Sequence, residues 1–131
     1  HVTGIDLAPA MIAAARPKFP PEQVTLLCGD VEETDFGQLF DRVVVYNAFP
    51  HFADPARLIA VLAGLVRPGG VLAVAHGMSR AAINHHHEGK ASPVSIGLIS
   101  AEELSALFAP YFDVQVCISD DRMYQVAGVR R

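Results

Sequence analysis

Two aspartates in the first quarter of the sequence each stand where an apolar, strand-like run ends. Asp6 closes the run Val2–Ile5, and Asp30 follows the run Val24–Cys28 after a single glycine. Parallel strands end at the same edge of a sheet, and a carboxylate at that edge can accept hydrogen bonds from ribose hydroxyls. The position of both aspartates at strand ends therefore predicts that their side chains face a common cleft, and Asp6 stands where such a carboxylate is found. The alternatives are that Asp6 caps the next helix and that Asp30 only forms a turn.

Histidines could supply acid–base chemistry at the same edge. His51 and His76 each follow a predicted strand at the same end of the sheet, so both can face one pocket. An imidazole there can accept a proton from a nucleophile, and a hydrogen-bonded structural histidine is the alternative interpretation of His76. The run His85–His87 does not predict a metal site, because consecutive side chains on a helix point in different directions. We therefore expect a solvated patch there and assign no metal ligands.

Short apolar runs that alternate with helical patterns predict a parallel α/β sheet. The predicted strands are Val2–Ile5, Val24–Cys28, Asp41–Tyr46, Val71–Ala75, Phe112–Ile118 and Met123–Val129. The predicted helices cover about residues 9–15, 54–66, 79–87 and 100–110. The β-branched run in the third strand is typical of a strand covered on both faces. Four turn-like residues separate the last two strands, too few for a parallel crossover, so these strands must form an antiparallel hairpin.

Two of the predicted helices have clear start signals. Asp54 is a good N-cap, and the Pro55 that follows it suits the first helical position. The apolar stripe of this helix extends to Val66, and the sequence Arg-Pro-Gly-Gly then ends it. Ser100 and Glu103 form a capping box at the start of the last helix.

The composition indicates one folded domain over residues 1–131. Of the 131 residues, 51% are hydrophobic and 18% are charged, and the net charge is −4. This balance is typical of a globular protein and gives no reason to expect a nucleic-acid or membrane partner. No apolar run approaches the ~20 residues that span a bilayer. Cys28 and Cys117 lie in apolar runs and are predicted to be buried and reduced. Because no secretion signal is visible either, we expect a cytoplasmic protein.

With these elements placed, the sequence resembles the class I S-adenosylmethionine-dependent methyltransferases along essentially its whole length. Four features carry the resemblance, in the family's order: Val2–Asp6 with Met11, Cys28–Val31, Phe40–Tyr46 running into residues 47–52, and Arg67–Gly70 before a strand. The terminal hairpin completes the set. The resemblance implies a Rossmann-like, mostly parallel sheet with helices on both faces and a C-terminal antiparallel β-hairpin.

The resemblance also implies S-adenosyl-L-methionine as the cofactor and assigns residues to it. Asp6 receives the two ribose hydroxyls, and Asp30 receives the exocyclic amine of adenine. The other residues assigned to the cofactor are Leu7, Met11, Val31, Asn47 and Ala48, the last two beside its methionine half. His76, and with it His51, is the predicted substrate contact or general base. The family usually carries a small hydroxyl residue where Ala8 stands, so one helix-capping bond is expected to be lost.

The family begins with a strand and a glycine-rich loop that have no counterpart before Val2–Ile5, so we expect an N-terminally truncated domain lacking its first βα unit. The absent strand would lie between Val2–Ile5 and Val43–Tyr46, and these strands should share no hydrogen-bond ladder. The predicted function of the complete protein is methyl transfer to a small-molecule acceptor, because the segment Ser79–Gly97, where acceptor-binding elements are inserted, is short. Two alternatives stay open: a nicotinamide-dependent (NAD-type) Rossmann oxidoreductase, and a non-catalytic remnant.

Overall fold

The computed structural model describes residues 1–46, 54–77 and 99–131. These residues belong to two compact units, His1–Gly37 and Gln38–Arg131. The single domain predicted over residues 1–131 stays a prediction. None of the helices in the described ranges is long and apolar enough to cross a membrane.

The first unit consists of two parallel strands connected through a helix. Its elements are strand β1 (Val2–Asp6), helix α1 (Pro9–Ala15), a 3₁₀ turn (Arg16–Lys18) and strand β2 (Val24–Cys28). A proline at the first helical position suits the start of α1, and buried Ile12 anchors the helix. The two strands pair in parallel and in register along their whole length. The predicted bounds of α1 and β2 are confirmed, and β1 is one residue longer than predicted.

The second unit contains a four-stranded sheet of mixed direction. Its strands are β3 (Phe40–Tyr46), β4 (Val66–His76), β5 (Phe112–Ser119) and β6 (Tyr124–Arg130), in the spatial order β3-β4-β6-β5. β3 and β4 are parallel, whereas β6 is antiparallel to both β4 and β5. The predicted C-terminal hairpin is therefore confirmed. β1 and β3 belong to different sheets. This agrees with the expectation that no ladder of backbone hydrogen bonds joins these two strands.

Two helices cover one face of this sheet. They are α2 (Pro55–Ala63) and α3 (Ala101–Phe108), which contact each other as well as the strands. Their buried side chains meet alternate residues of β4 and β6, and the core they form includes Leu58, Ile59, Leu62, Leu72, Val74, Leu104, Phe108 and Val126. Each such side chain stabilises the fold by about 1.5–3 kcal/mol relative to exposure. This core covers the face of β4 and β6 that carries Leu72, Val74 and Val126.

The predicted helix starts are confirmed by their caps. The Asp54 carboxylate accepts a hydrogen bond from the amide of Arg57 at 3.1 Å. The Ser100 hydroxyl accepts a hydrogen bond from the amide of Glu103 at 3.1 Å and donates one to the carboxylate of the same residue. Buried Tyr124 donates from its hydroxyl to the carbonyl oxygen of Ile99 at 3.0 Å. The chain entering α3 is thus tied to strand β6.

Helix α2 ends earlier than the sequence predicts. Its last residue is Ala63, Gly64 is its C-cap, and β4 begins at Val66. The Arg-Pro-Gly-Gly sequence therefore lies within β4, at a point where the pairing with β3 shifts register after Phe40. The prediction that Leu65 and Val66 continue the helical stripe is wrong, because Val66 is buried as a strand residue paired with Phe40.

The two glycines of that sequence lie where the pairing of β3 and β4 shifts register. Gly69 has a φ of 84°, in the left-handed region that favours glycine. At Gly70, a Cβ would lie 2.7 Å from the carbonyl oxygen of Asp41 and 2.8 Å from Cγ1 of Val66. A side chain there would push β3 and β4 apart, so this glycine is needed for the close approach of the two strands.

Replacing Gly70 with alanine is expected to lower the free energy of unfolding by about 1–3 kcal/mol, the usual cost of overpacking. The matched control is Gly64→Ala, since a Cβ at Gly64 would lie 3.4 Å from its nearest neighbour, the carbonyl oxygen of Val61. That change should alter stability by less than about 1 kcal/mol. Urea unfolding of both variants measures the difference, and equal midpoints would contradict the packing argument.

Strand β3 is covered on one face only. Val43 and Val45 are half-buried, whereas Val44 and Tyr46 are 65% and 60% exposed. The prediction that this strand is covered on both faces is wrong for the part of the chain that the structure describes, because α2 and α3 pack on the face that carries Val43 and Val45.

Both cysteines are free but exposed, so the prediction that they are buried is wrong. Cys28 is the last residue of β2, and Cys117 lies on β5, at one end of the strand order. Apolar runs predicted both strands correctly, but position at a strand end or on an outer strand leaves the thiols open to solvent.

The turn of the C-terminal hairpin is held by one carboxylate. Oδ1 of Asp120 accepts hydrogen bonds from the amides of Arg122 and Met123, each at 2.9 Å. These amides hold the pKa of the Asp120 carboxyl below its usual value, because they favour its charged form. The turn places Tyr124 at the start of β6, directly opposite His76.

Candidate functional site

The two predicted ligand-binding carboxylates lie at one edge of the β1–β2 pair. Asp6 is the last residue of β1 and pairs with Cys28, and Asp30 follows two residues after the end of β2. The amide of Gly29 donates a hydrogen bond to the carbonyl oxygen of Asp6 at 2.9 Å, which connects the two strand ends. The prediction that Asp6 and Asp30 share the carboxyl edge is confirmed.

Each of these carboxylates uses one oxygen for a local turn. Oδ1 of Asp6 accepts from the amide of Ala8 at 2.8 Å, and Oδ1 of Asp30 accepts from the amide of Glu32 at 2.9 Å. The Asp6 contact satisfies an amide at the N-cap of α1, where Ala8 itself makes no side-chain cap. The capping alternative is thus realised, but it occupies only one of the two oxygens.

The second oxygens of these carboxylates remain open to a ligand. No residue in the described ranges donates a hydrogen bond to Oδ2 of Asp6 or of Asp30, and both side chains are half-buried. A carboxylate that is oriented by one amide and partly shielded from water is well prepared to bind hydroxyl or amine hydrogens. This donor set fits the ribose and adenine of a nucleoside.

Apolar residues follow both strand ends in the sequence. Leu7 and Met11 are 63% and 60% exposed, and Val31 is half-buried next to Asp30 in sequence. Large apolar side chains this exposed, beside two oriented carboxylates, suit the hydrophobic surfaces of a base and a sugar. The predicted cofactor roles of Leu7, Met11 and Val31 stay predictions.

His76 lies in the core of the second unit. It is 4% exposed and occupies the same face of β4 as Leu72 and Val74. Its ring meets Tyr124 edge to face, with centroids 5.9 Å apart and planes at 70°. Burial among core residues favours the structural interpretation of His76, and its role as a substrate contact or base stays a prediction.

Several predicted residues lie outside the described ranges. They are Asn47, Ala48 and His51, the run His85–His87, and the whole of the predicted helix over residues 79–87 and of the acceptor segment Ser79–Gly97. In the ranges that are described, no group of three or more histidine, cysteine, aspartate or glutamate residues is placed to hold a metal ion.

Two residues that the sequence does not single out are Tyr46, the last residue of β3, and Gly77, which follows the last residue of β4. A Cβ at Gly77 would lie 2.9 Å from the hydroxyl oxygen of Tyr46. The signal was present, because Tyr46 is the last residue of a strand that leads into the predicted site. Its place in an apolar run, however, says nothing about where its hydroxyl lies.

The comparisons with known proteins agree with this architecture. A family model described as "Methyltransferase domain" matches residues 1–74. A crystal structure of an S-adenosylmethionine-dependent methyltransferase from Mesorhizobium loti superposes with a TM-score of 0.77 at 18% identity, covering 99% of this chain and 80% of that one. The fold is therefore the Rossmann-like α/β fold of methyltransferases. The chain belongs to the class I S-adenosylmethionine-dependent methyltransferase family.

Curated relatives match parts of longer proteins. The malonyl-[acyl-carrier protein] O-methyltransferase of Acetivibrio thermocellus is 36% identical over 73 residues, which are 56% of this chain and 26% of that protein. The ribosomal protein L11 methyltransferase of Laribacter hongkongensis is 29% identical over 133 residues, covering 99% of this chain and 36% of that protein. The chain thus spans about a quarter to a third of the length of these relatives.

Proposed function

We propose that the complete protein transfers a methyl group from S-adenosyl-L-methionine to a small-molecule acceptor. The observation that carries this proposal is the pair of strand-end carboxylates, Asp6 and Asp30, each with one oxygen fixed by a backbone amide and one oxygen open. Membership of the methyltransferase family supports it.

The residues of the first unit would hold the nucleoside part of the cofactor. Asp6 would accept hydrogen bonds from the ribose hydroxyls, and Asp30 would accept one from the adenine amine. Exposed Leu7 and Met11, with Val31, would pack against the base and sugar. When bound, S-adenosylmethionine supplies a methyl group on a positively charged sulfur.

The remaining task of the protein is to align the acceptor and exclude water, since the methyl group is already activated. Asn47 and Ala48 stay assigned to the methionine half of the cofactor, and His51 and His76 stay the proposed proton acceptors. The short segment Ser79–Gly97 supports a small acceptor. The Acetivibrio relative is named for an acyl-carrier-protein substrate, and the Laribacter relative for a ribosomal protein. Methylation of a protein instead of a small molecule would therefore refute the proposal of a small acceptor.

Calorimetric titration of the complete protein tests the cofactor assignment. We expect S-adenosylmethionine and S-adenosylhomocysteine to bind and NAD not to bind. Binding of NAD alone would identify an oxidoreductase, and binding of none of the three would identify a non-catalytic remnant.

A further inference from the structure

Tyr46 lies at the shared end of two parallel strands, on the face of the sheet that α2 and α3 do not cover. It is the last residue of β3, it pairs with Ala75 of β4, and it is 60% exposed. Its hydroxyl oxygen lies 2.9 Å, and its Cζ atom 3.9 Å, from the place where a Cβ of Gly77 would be. The ring therefore reaches along the sheet into space that only a glycine leaves open. The hydroxyl therefore lies at the carboxyl end of both strands, next to the backbone of Gly77.

Among the described residues at the ends of β3 and β4, Tyr46 is the one with an exposed polar side-chain atom. Ala75 and Gly77 carry no polar side-chain atom, and His76 points to the opposite, buried face. No residue in the described ranges is recorded with a hydrogen bond to the Tyr46 hydroxyl. The group can therefore both donate and accept toward a ligand. In open α/β sheets, ligands bind outside the carboxyl ends of the strands, which is where this hydroxyl lies.

We propose that Tyr46 is an acceptor-binding residue, which donates a hydrogen bond from its hydroxyl to an oxygen atom of the methyl acceptor while the ring packs on the acceptor's apolar part. This rests on the proposed function. The carboxylates that suit the nucleoside lie in the first unit, on β1 and after β2. Tyr46 offers instead a neutral hydroxyl donor at the tip of an apolar ring. This combination suits a small organic molecule with a carbonyl, carboxylate or hydroxyl oxygen.

The test is steady-state methyl transfer by the complete protein, with radiolabelled S-adenosylmethionine and a panel of small carboxylates, phenols and amines. The acceptor with the highest kcat/KM is then used for all variants. Tyr46→Phe should raise the KM for this acceptor roughly three- to tenfold, the effect of one neutral hydrogen bond. The Kd of S-adenosylhomocysteine should stay unchanged. Val44→Ala, at a residue equally exposed on the same face, should change neither quantity.

A double-mutant cycle tests the geometry. Gly77→Ala should raise the acceptor KM as Tyr46→Phe does, because the new Cβ displaces the hydroxyl. The double variant Tyr46→Phe/Gly77→Ala should be no worse than Tyr46→Phe alone, since removal of the hydroxyl removes the clash. An unchanged acceptor KM in Tyr46→Phe overturns the proposal, and so does a loss confined to the affinity for S-adenosylhomocysteine. Failure of the wild-type protein to bind S-adenosylhomocysteine would instead refute the proposed function.

Discussion

Replacing Asp6 with alanine in the complete protein is expected to weaken the binding of S-adenosylhomocysteine by about 1.5–3 kcal/mol, the range for hydrogen bonds to a charged group. This corresponds to a roughly 10- to 150-fold higher Kd. The reason is that the amide of Ala8 holds Oδ1 of Asp6, which orients the carboxylate and leaves Oδ2 open to a ligand. Calorimetric titration measures the change.

Asp35→Ala is the matched control for this substitution. Oδ1 of Asp35 accepts a hydrogen bond from the amide of Gly37 at 2.9 Å, the same type of turn that Asp6 and Asp30 form. Asp35 is exposed and does not stand at a strand end, so its loss should leave the Kd unchanged. Equal losses of affinity in the two variants would show that the turns, and not the ligand contacts, are responsible, and would contradict the assignment.

Replacing His76 with alanine is expected to lower the free energy of unfolding by about 2–5 kcal/mol, the range for truncating a large buried side chain. The imidazole is 4% exposed and packs edge to face on Tyr124, so its removal leaves a cavity in the core. Urea unfolding measures the loss. Gln125→Ala is the control. Gln125 lies on the neighbouring strand, pairs with Ala75 and is only half-buried, so its truncation should lower the free energy of unfolding less than that of His76 does.

Cofactor affinity separates His76 from the nucleoside site. Under conditions where the variant is folded, His76→Ala should lower turnover and leave the Kd of S-adenosylhomocysteine nearly unchanged. His76→Phe keeps a ring in the core and removes the proton acceptor. If this variant regains stability and turnover, the role of His76 is structural, whereas stability without turnover indicates acid–base chemistry. A fall in cofactor affinity as large as that of Asp6→Ala would contradict the division of roles.

Local signals determined a large part of the secondary structure in this chain. The caps at Asp54 and Ser100 and the four-residue connection of the hairpin act over a few residues, so the sequence contains all that is needed to predict them. The edge position of Asp6 and Asp30 was also predictable, because parallel strands must end together. The start of β4 at Val66 was not, since the apolar pattern up to Val66 fits a helix as well as a strand.

The sequence by itself determined the family, the order of strands and helices, and the carboxylates at the edge of β1 and β2. Only the tertiary structure decided which face of each strand is covered. Side chains alternate along a strand, but the side that becomes core depends on distant segments. Helices α2 and α3 pack on the face of β4 that bears His76, and β6 places Tyr124 against it. His76 is buried for this reason, whereas Tyr46, on the opposite face, is exposed.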